Sequence, residues 1–232
     1  MLKQKLLSRF GPEPTGLSEK EQMRIALINM KLKDEDGDVH FVELPLLSSG
    51  KAETAITSEA LAGRRKCGRL AIGGVGAALH MENLQATGIT HILCLSKQVR
   101  TMFPDSFSYM RVDELEDDGS GHSLDIFRNH LEHCLQFIHE SISIGGSVLV
   151  HCYQGKSRSA AMCIAYLLTK FDESQVPTLE RALGLIRQSR PKAEPNFALM
   201  SVLREIETKT GRTSSSDDGR QTGGHSTVFA QL

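Results

Sequence analysis

The chain has 232 residues, of which 40% are hydrophobic and 24% charged, and its formal net charge is −1. This is the composition of an ordinary globular protein with one core plus extensions. The balanced charge and the lack of a long apolar run predict no nucleic-acid partner and no membrane insertion. The N-terminus shows no signal-peptide pattern.

Cysteine usage predicts a reducing compartment. The chain has five cysteines, an odd number, and no pair of them has C-x-x-C spacing. A disulfide framework or a zinc site is therefore not expected. We expect a cytoplasmic protein, with the nucleus as an alternative location.

Residues 1–64 contain few patterns that predict structure. Ser18 and Glu21 have the spacing of a capping box, which predicts a helix through about Lys31. His40–Leu44 predicts a short strand. We interpret residues 1–64 as an N-terminal extension that is partly helical.

A basic cluster, Arg64-Arg65-Lys66, precedes Leu70 and Ile72. Basic residues followed by alternating apolar ones are typical of a kinase-docking peptide. Leu70 and Ile72 also alternate as in a strand, which would place both side chains in a core. We favour the strand, and three basic residues are too short a run to predict nuclear import.

The following elements alternate between strands and helices. Gly73-Gly74-Val75-Gly76 lacks the spacing of a dinucleotide fingerprint and the lysine of a nucleotide-phosphate loop, so it predicts a turn. A helix is predicted over Ala77–Ala86, with Gly88 as its C-cap. Strands are predicted over Ile89–Leu95, which is apolar enough to be buried on both faces, and over the alternating stretch Phe107–Val112.

A long amphipathic helix is predicted next. Its apolar residues recur mostly at steps of three and four, so they form one face that packs on the sheet. These residues are Leu124, Phe127, Leu131, Cys134, Phe137, Ile138 and Ile142. Cys134 on this face, like Cys163 further along the chain, is predicted to be a core residue rather than a reactive thiol.

The C-terminal part predicts two more helices and a tail. The first covers Thr178–Ser189 and stops before Arg190-Pro191, because a residue that precedes proline avoids helical geometry. Pro195-Asn196 begins the second, which runs through about Lys209. Residues 209–232 are rich in Gly, Ser, Thr and Asp and are predicted to be a disordered tail.

The stretch Val148–Ser159, VLVHCYQGKSRS, predicts a strand, a tight loop and a helix. Val148-Leu149-Val150 follows two glycines and is apolar, as a buried strand is. A helical pattern starts at Ser159, so the loop ends at a helix N-terminus, where free N–H groups and the helix dipole attract anions. Gly155 gives the backbone the freedom to turn its N–H groups inwards.

Cys152 and Arg158 stand at the two ends of this loop. The guanidinium group of Arg158 matches two phosphate oxygens. The same field lowers the pKa of the Cys152 thiol and favours the thiolate, which is the nucleophile. The alternative is a buried cysteine that lies six residues before an arginine by chance. It does not explain why His151, Gly155 and Ser159 also fall in register, so we interpret the loop as a site for attack on phosphorus.

HCYQGKSRSA at His151–Ala160, followed by AYLL, resembles the signature loop of the dual-specificity phosphatases, a branch of the cysteine-dependent protein tyrosine phosphatases. RLAIGGVGAA at Arg69–Ala78 and GITHILCLS at Gly88–Ser96 resemble the opening segments of that family. PNFALMSVL at Pro195–Leu203 is similar to its closing helix, although Ala198 and Leu199 stand where a glycine and an aromatic residue are usual.

The resemblance covers residues 65–208, which we predict to be one catalytic domain. It implies an α/β fold with a central, mostly parallel sheet flanked by helices, in a single dual-specificity phosphatase-like domain. It also implies Cys152 as nucleophile, with Ser159 assisting departure of the sulfur and His151 in a supporting role. The phosphate would be held by the loop residues Tyr153, Gln154, Gly155, Lys156, Ser157 and Arg158. No metal or cofactor is expected, because Arg158 and the loop neutralise the charge.

The proton donor for the leaving oxygen is left open between three acids. The family places an aspartate on the loop after the strand 107–112, and a carboxylic acid there can protonate the leaving group. Counting forward from Tyr109 places the acid near Glu116 or Asp117, whereas counting back from the helix near Leu124 places it at Asp118 or later. We favour Asp117, then Asp118, then Asp113. Each of them is equally well explained as part of a solvated acidic loop.

The predicted function is hydrolysis of phosphotyrosine and of phosphoserine or phosphothreonine in proteins, through a phosphocysteine intermediate. The expected partner is a phosphorylated protein, for which a protein kinase is one candidate. Lys156 inside the loop raises the alternative of phosphoinositides or other non-protein phosphates as substrates. We favour a Lys156 side chain that points to solvent, because an ammonium group is strongly hydrated. The last alternative is a non-catalytic phosphate-binding module.

Overall fold

The computed structural model describes residues 38–45 and 68–212. A five-stranded sheet of order β1-β2-β5-β3-β4 forms the centre of this region. β1 runs antiparallel to β2, and the remaining pairings are parallel. The strands are β1 His40–Val42, β2 Arg69–Gly73, β3 His91–Cys94, β4 Ser108–Arg111 and β5 Ser147–His151. The predicted α/β fold with a mostly parallel sheet is confirmed.

β5 lies at the centre of the sheet and all five of its residues are buried. Its side chains alternate between two cores. Val148 and Val150 pack on one face with helices from the C-terminal half, while Leu149 packs on the other face with Ala77 and Leu84. This burial on both faces explains why Val148-Leu149-Val150 is continuously apolar instead of alternating with polar residues.

Four helices cover the first face, in agreement with the predicted amphipathic patterns. They are α3 Gly121–Ser143, α4 Arg158–Lys170, α5 Leu179–Ser189 and α6 Phe197–Lys209. Side-chain oxygens cap three of them at the N-terminus, and these belong to Ser120, Thr178 and Asn196. α3 begins three residues before the predicted Leu124, because the Ser120 hydroxyl group accepts a hydrogen bond from the backbone N–H of Ser123.

The single helix predicted over Ala77–Ala86 is wrong. The structure has two short helices instead, α1 Val75–Ala78 and α2 Met81–Ala86, with His80 in an extended conformation between them. The break lets Leu79 pack beside Cys94 in one cluster while Leu84 enters a different one. A single straight helix could not place Leu79 and Leu84 in these two clusters. The C-cap is Thr87 rather than the predicted Gly88, which follows it with a φ angle of +74° and ends the helix as expected.

β1 confirms the strand predicted at His40–Leu44, and Leu70 and Ile72 are buried in β2 as expected. The predicted helix after Ser18 and the basic cluster at 64–66 lie outside the described residues, as does most of the predicted tail. Within the described part of the chain, no helix is both long and apolar enough to span a bilayer.

Candidate active site

The loop 152–157 joins the C-terminal end of β5 to α4 and lies between β2 and β3. Open α/β sheets bind ligands at this edge. The loop depends on Gly155, whose φ angle is +66°. A Cβ atom at this position would overlap the carbonyl oxygen of Gly73 and the Arg190 guanidinium group, so only glycine allows the loop to pass here.

Neighbouring elements hold the loop carbonyl groups so that they point away from its centre. Five consecutive carbonyls, from residues 153 to 157, accept hydrogen bonds. The donors are the Val75 N–H group at 2.9 Å, Arg190 Nη2 at 2.9 Å, Arg190 Nε at 2.6 Å, the Glu194 N–H group at 2.8 Å and the Ala161 N–H group at 2.8 Å. With the carbonyls turned outwards, the N–H groups are free to face an anion at the loop centre.

Cys152 is buried, and its Sγ atom receives hydrogen bonds within the loop. The Gly155 N–H group lies 3.3 Å away and the Ser159 hydroxyl group 3.4 Å away. Burial by itself would raise the pKa of this thiol. The charge of Arg158 and the hydrogen bonds from Ser159 and Gly155 outweigh burial, so the pKa of Cys152 lies below its ordinary value. These contacts stabilise the thiolate.

His151 precedes the cysteine and is fully enclosed. Burial lowers the pKa of its imidazole to about 4. The ring is therefore neutral near pH 7, and its Nδ1 atom lies 3.3 Å from the Cys152 carbonyl oxygen. A neutral ring in this place orients the backbone at the nucleophile.

Arg158 is 5% exposed. Its Nη1 atom donates to the Leu115 carbonyl oxygen at 2.9 Å, which anchors the guanidinium group. Its Nε atom is buried and has no hydrogen-bond partner among the described residues. A buried N–H group without a partner is costly, so this donor favours an anion beside it.

The three candidate acids occupy different environments. Asp117 contacts the loop: its Oδ1 atom accepts from the Ser157 hydroxyl group at 2.6 Å, and its Oδ2 atom lies 3.8 Å from Arg158 Nε. Asp118 is turned towards Ser120, and hydrogen bonds from the Ser120 backbone and from the side chains of Ser123 and Ser120 lower its pKa to about 2. Asp113 pairs with Arg111 on the surface.

The remaining predicted loop residues point in different directions. Tyr153 packs against the apolar cluster that contains Val75 and Cys94, whereas Gln154 is exposed. Lys156 lies at the surface, where its ammonium group pairs with Glu194 at 2.7 Å. The structure therefore supports the solvent-facing interpretation of Lys156.

Three residues of the C-terminal segment reach the site, although the sequence did not indicate it. Arg190 is buried and supports the loop through two carbonyl groups, and Glu194 binds Lys156. Asn196 donates from Nδ2 to Asp117 Oδ1 at 2.7 Å, and its N–H group donates to the Ser157 hydroxyl oxygen at 3.1 Å. Their spacing of 35 to 79 residues from their partners gives no local signal.

The other described cysteines are core residues, as predicted for Cys134 and Cys163. Cys94 lies in the cluster on the opposite face of the sheet from the one that contains Cys152. Burial raises the pKa of Cys94 to about 11 and that of Cys134 to about 12. Among residues 38–45 and 68–212, no three His, Cys, Asp or Glu side chains group closely enough to hold a metal ion.

A buried cysteine under a loop whose carbonyl groups bind neighbouring groups, with an arginine at the start of the next helix, defines a cysteine-dependent phosphatase domain. The family model of the dual specificity phosphatase catalytic domain matches residues 72–209. The chain therefore belongs to the dual specificity phosphatases of the cysteine-dependent protein tyrosine phosphatase superfamily, as the resemblance implied.

Individual relatives agree with this family. Dual specificity protein phosphatase 1 of Arabidopsis thaliana is 37% identical over 140 residues, which cover 60% of this chain and 65% of the relative. Dual specificity protein phosphatase 1B of the same plant is 33% identical over 138 residues, covering 60% and 77%. The crystal structure of human DUSP28 has a TM-score of 0.53 at 30% identity and covers 61% of this chain and 90% of that one. The chain thus spans about two thirds of the first relative's length.

Proposed function

We propose that this protein hydrolyses phosphotyrosine and phosphoserine or phosphothreonine in proteins, through a phosphocysteine intermediate. One observation carries the proposal. The Cys152 Sγ atom lies under a loop whose five carbonyl groups are all held outwards, beside the buried Arg158. This arrangement stabilises both a thiolate and the phosphoryl group that it attacks.

In the first step the Cys152 thiolate attacks phosphorus in line, and a P–S bond forms as the P–O bond to the substrate breaks. Charge spreads over the three equatorial oxygens in the transition state. The loop N–H groups and the Arg158 fork bind these oxygens. Asp117 gives its proton to the leaving oxygen, so the product departs as an alcohol or a phenol.

In the second step a water molecule attacks phosphorus, and the P–S bond breaks. Asp117, now a carboxylate, takes the proton of this water. The Ser159 hydroxyl group lies 3.4 Å from Sγ and stabilises the thiolate that departs. The products are inorganic phosphate and the restored Cys152 thiolate.

Asp117 is the proposed acid because it alone of the three candidates touches the loop. Both of its Oδ1 donors, Ser157 and Asn196, hold the carboxyl group beside Arg158. These two hydrogen bonds occupy Oδ1, so Oδ2 is left to carry the transferred proton. Asp118 is instead turned towards Ser120, and the hydrogen bonds from Ser120 and Ser123 that lower its pKa favour the carboxylate over the protonated form that a general acid needs.

Protein substrates are favoured over polyanionic lipid headgroups. The extra positive charge that would attract such a headgroup belongs to Lys156, and Glu194 compensates it. A protein kinase stays a candidate substrate. The basic cluster at 64–66 that could dock a kinase lies outside the described residues.

Replacement of the nucleophile tests the proposal. Cys152→Ser is expected to lose turnover of p-nitrophenyl phosphate while it still binds a phosphotyrosine peptide, because the loop and Arg158 are unchanged. Cys94→Ala, which removes a thiol from the opposite face of the sheet, is the matched control and keeps turnover. Activity retained in Cys152→Ser would contradict the mechanism.

A substrate panel tests the proposed substrate class. Purified full-length protein is assayed with phosphotyrosine, phosphoserine and phosphothreonine peptides beside phosphoinositides in mixed micelles. A higher kcat/KM for the peptides is expected. Preference for phosphoinositides would replace the proposal with lipid hydrolysis, and binding of phosphopeptides without any turnover would indicate a non-catalytic module.

A further inference from the structure

Phe197, the first residue of α6, is 84% exposed. Only one other large hydrophobic side chain among the described residues, Ile144 at 71%, is comparably open to solvent. An exposed aromatic ring is unremarkable by itself on a protein surface. Its position in the fold is what distinguishes Phe197 from Ile144.

Phe197 lies at the rim of the candidate active site. The residue before it, Asn196, binds both Ser157 in the loop and Asp117, the proposed acid. The residue after it, Ala198, faces Gly119 on the acid loop, where a Cβ atom would be 3.7 Å from the Ala198 Cβ atom. The Phe197 ring is therefore attached where the phosphate-binding loop and the acid loop meet.

The polar surroundings of Phe197 do not offer an alternative recognition group on the same segment. Glu194, three residues earlier, compensates Lys156, the one ammonium group within the loop. Hydrogen bonding occupies the Asn196 side chain on both its oxygen and its nitrogen. The aromatic ring, unlike the Glu194 and Asn196 side chains, is thus exposed without a polar partner on this segment.

We propose that Phe197 is a specificity-determining residue, which contacts an apolar side chain next to the phosphorylated residue of a protein substrate. This inference rests on the proposed function. A phosphate held in the loop places the flanking substrate residues at the rim, within reach of a ring on α6. Contact with an aliphatic side chain removes apolar surface of both partners from water, whereas a polar side chain gains little there.

Two phosphopeptides that differ only in one flanking residue, Leu or Asn, measure this preference. The pair is made once with the variable residue before the phosphorylated position and once after it. The measured quantity is the ratio of kcat/KM for the Leu peptide to that for the Asn peptide. A contact at an open rim supports roughly a tenfold ratio on one of the two sides.

Variants at position 197 test whether the ratio of the two kcat/KM values depends on the Phe197 ring. Phe197→Ala and Phe197→Ser are expected to bring the ratio close to one, and Phe197→Leu is expected to retain an intermediate value. These substitutions leave the Asn196 cap in place and remove no buried atoms, so the fold is expected to persist. Ile144→Ala is the matched control. It removes a comparably exposed side chain that precedes the N-terminal end of β5, away from the phosphate-binding loop, and keeps the wild-type ratio.

Three results would overturn the inference. A wild-type ratio near one, both before and after the phosphorylated residue, excludes an apolar preference. An unchanged ratio in Phe197→Ala shows that a residue other than Phe197 causes the preference. An effect of Phe197→Ala on vesicle binding or on self-association, without a change in the ratio, identifies a different partner for the ring. Hydrolysis of p-nitrophenyl phosphate in the same preparation separates these failures from failure of the proposed function. Loss of both activities would refute catalysis, and hydrolysis of p-nitrophenyl phosphate without hydrolysis of either peptide would refute the protein substrate.

Discussion

Asp117→Asn removes the proposed proton donor while the geometry around it is kept. Asn at this position can still accept hydrogen bonds from Ser157 and Asn196 through Oδ1, and its amide group replaces Oδ2 near Arg158. General acid catalysis contributes roughly 10²- to 10⁴-fold to a rate. We therefore expect a loss of this size in kcat/KM for a phosphoserine peptide, whose alkoxide leaving group needs a proton.

Ser157→Ala gives a smaller effect that can be worked out from the same contacts. It removes one of the two hydrogen bonds that hold the Asp117 carboxyl group. A hydrogen bond to a charged group contributes about 1.5–3 kcal/mol. Since the Asp117 side chain is 31% exposed, water replaces part of this contact. We expect the lower end of this range, about 1.5 kcal/mol, which is roughly a tenfold decrease in kcat/KM.

The assay compares a phosphoserine peptide with p-nitrophenyl phosphate across pH. Nitrophenolate leaves without much help from an acid, so both variants should affect the peptide more than the aryl ester. In Asp117→Asn the alkaline limb of the pH–rate profile should become flat. Ser120→Ala is the matched control. It removes a hydroxyl group that binds Asp118, and we expect an unchanged ratio of the two substrates with a stability loss of about 1 kcal/mol.

A specific outcome would refute this reasoning. If Asp118→Asn or Asp113→Asn flattens the alkaline limb while Asp117→Asn does not, the acid has been assigned to the wrong residue. The contacts of Asp117 with the loop would then be structural.

Three further predictions follow from the buried groups of the site. Arg190→Met should lower the free energy of unfolding in urea by about 1–3 kcal/mol, because the buried Gly155 carbonyl group loses its donor, and the partly buried Gln154 carbonyl group adds a smaller loss. Arg187→Met, which removes one part-buried hydrogen bond, is the control and should cost less. Iodoacetate should alkylate Cys152 with a midpoint at lower pH than for an ordinary thiol, and Ser159→Ala should raise that midpoint; an unchanged midpoint would exclude the hydroxyl group. The folded-state pKa of His151, about 4, lies below the ordinary 6.5. The contribution of the neutral His151 ring to the free energy of unfolding is therefore complete above pH 6.5 and is lost as pH falls towards 4. The free energy of unfolding should fall by about 3 kcal/mol over this pH range. Urea unfolding curves recorded at a series of pH values should show a smaller decrease in His151→Gln.

The strand, the loop and the helix around Cys152 were predictable because their determinants are local. An apolar run of a few residues predicts a buried strand, and Gly155 predicts a backbone conformation that most side chains cannot adopt. Cys152, Arg158 and Ser159 lie within eight consecutive residues, so their proximity follows from the turn itself. The caps of α5 and α6 are local in the same sense, since Thr178 and Asn196 bind N–H groups three residues ahead.

The assignment of the acid was not predictable, because adjacent residues of one acidic loop have the same chemistry. Asp117 and Asp118 differ only in the direction in which the folded loop turns them. The donors that separate them, Ser157 for one and Ser120 for the other, are 40 and 2 residues away. The break between α1 and α2 has a similar origin, since Leu79 shares a cluster with Cys94 of β3 and Leu84 shares one with Leu149 of β5, and both partners lie further along the chain.

The sequence by itself thus determined the nucleophile, the arginine and the strand, loop and helix that join them, because short-range backbone geometry and burial encode these features. Only the tertiary structure decided which acid faces the loop, what turns the loop carbonyls outwards and which side chain stands at the rim. Arg190, Glu194 and Asn196 reach the loop from 35 to 39 residues away. Contacts of this kind form when α5 and α6 pack against α4, and the periodicity of apolar residues within either helix does not predict them.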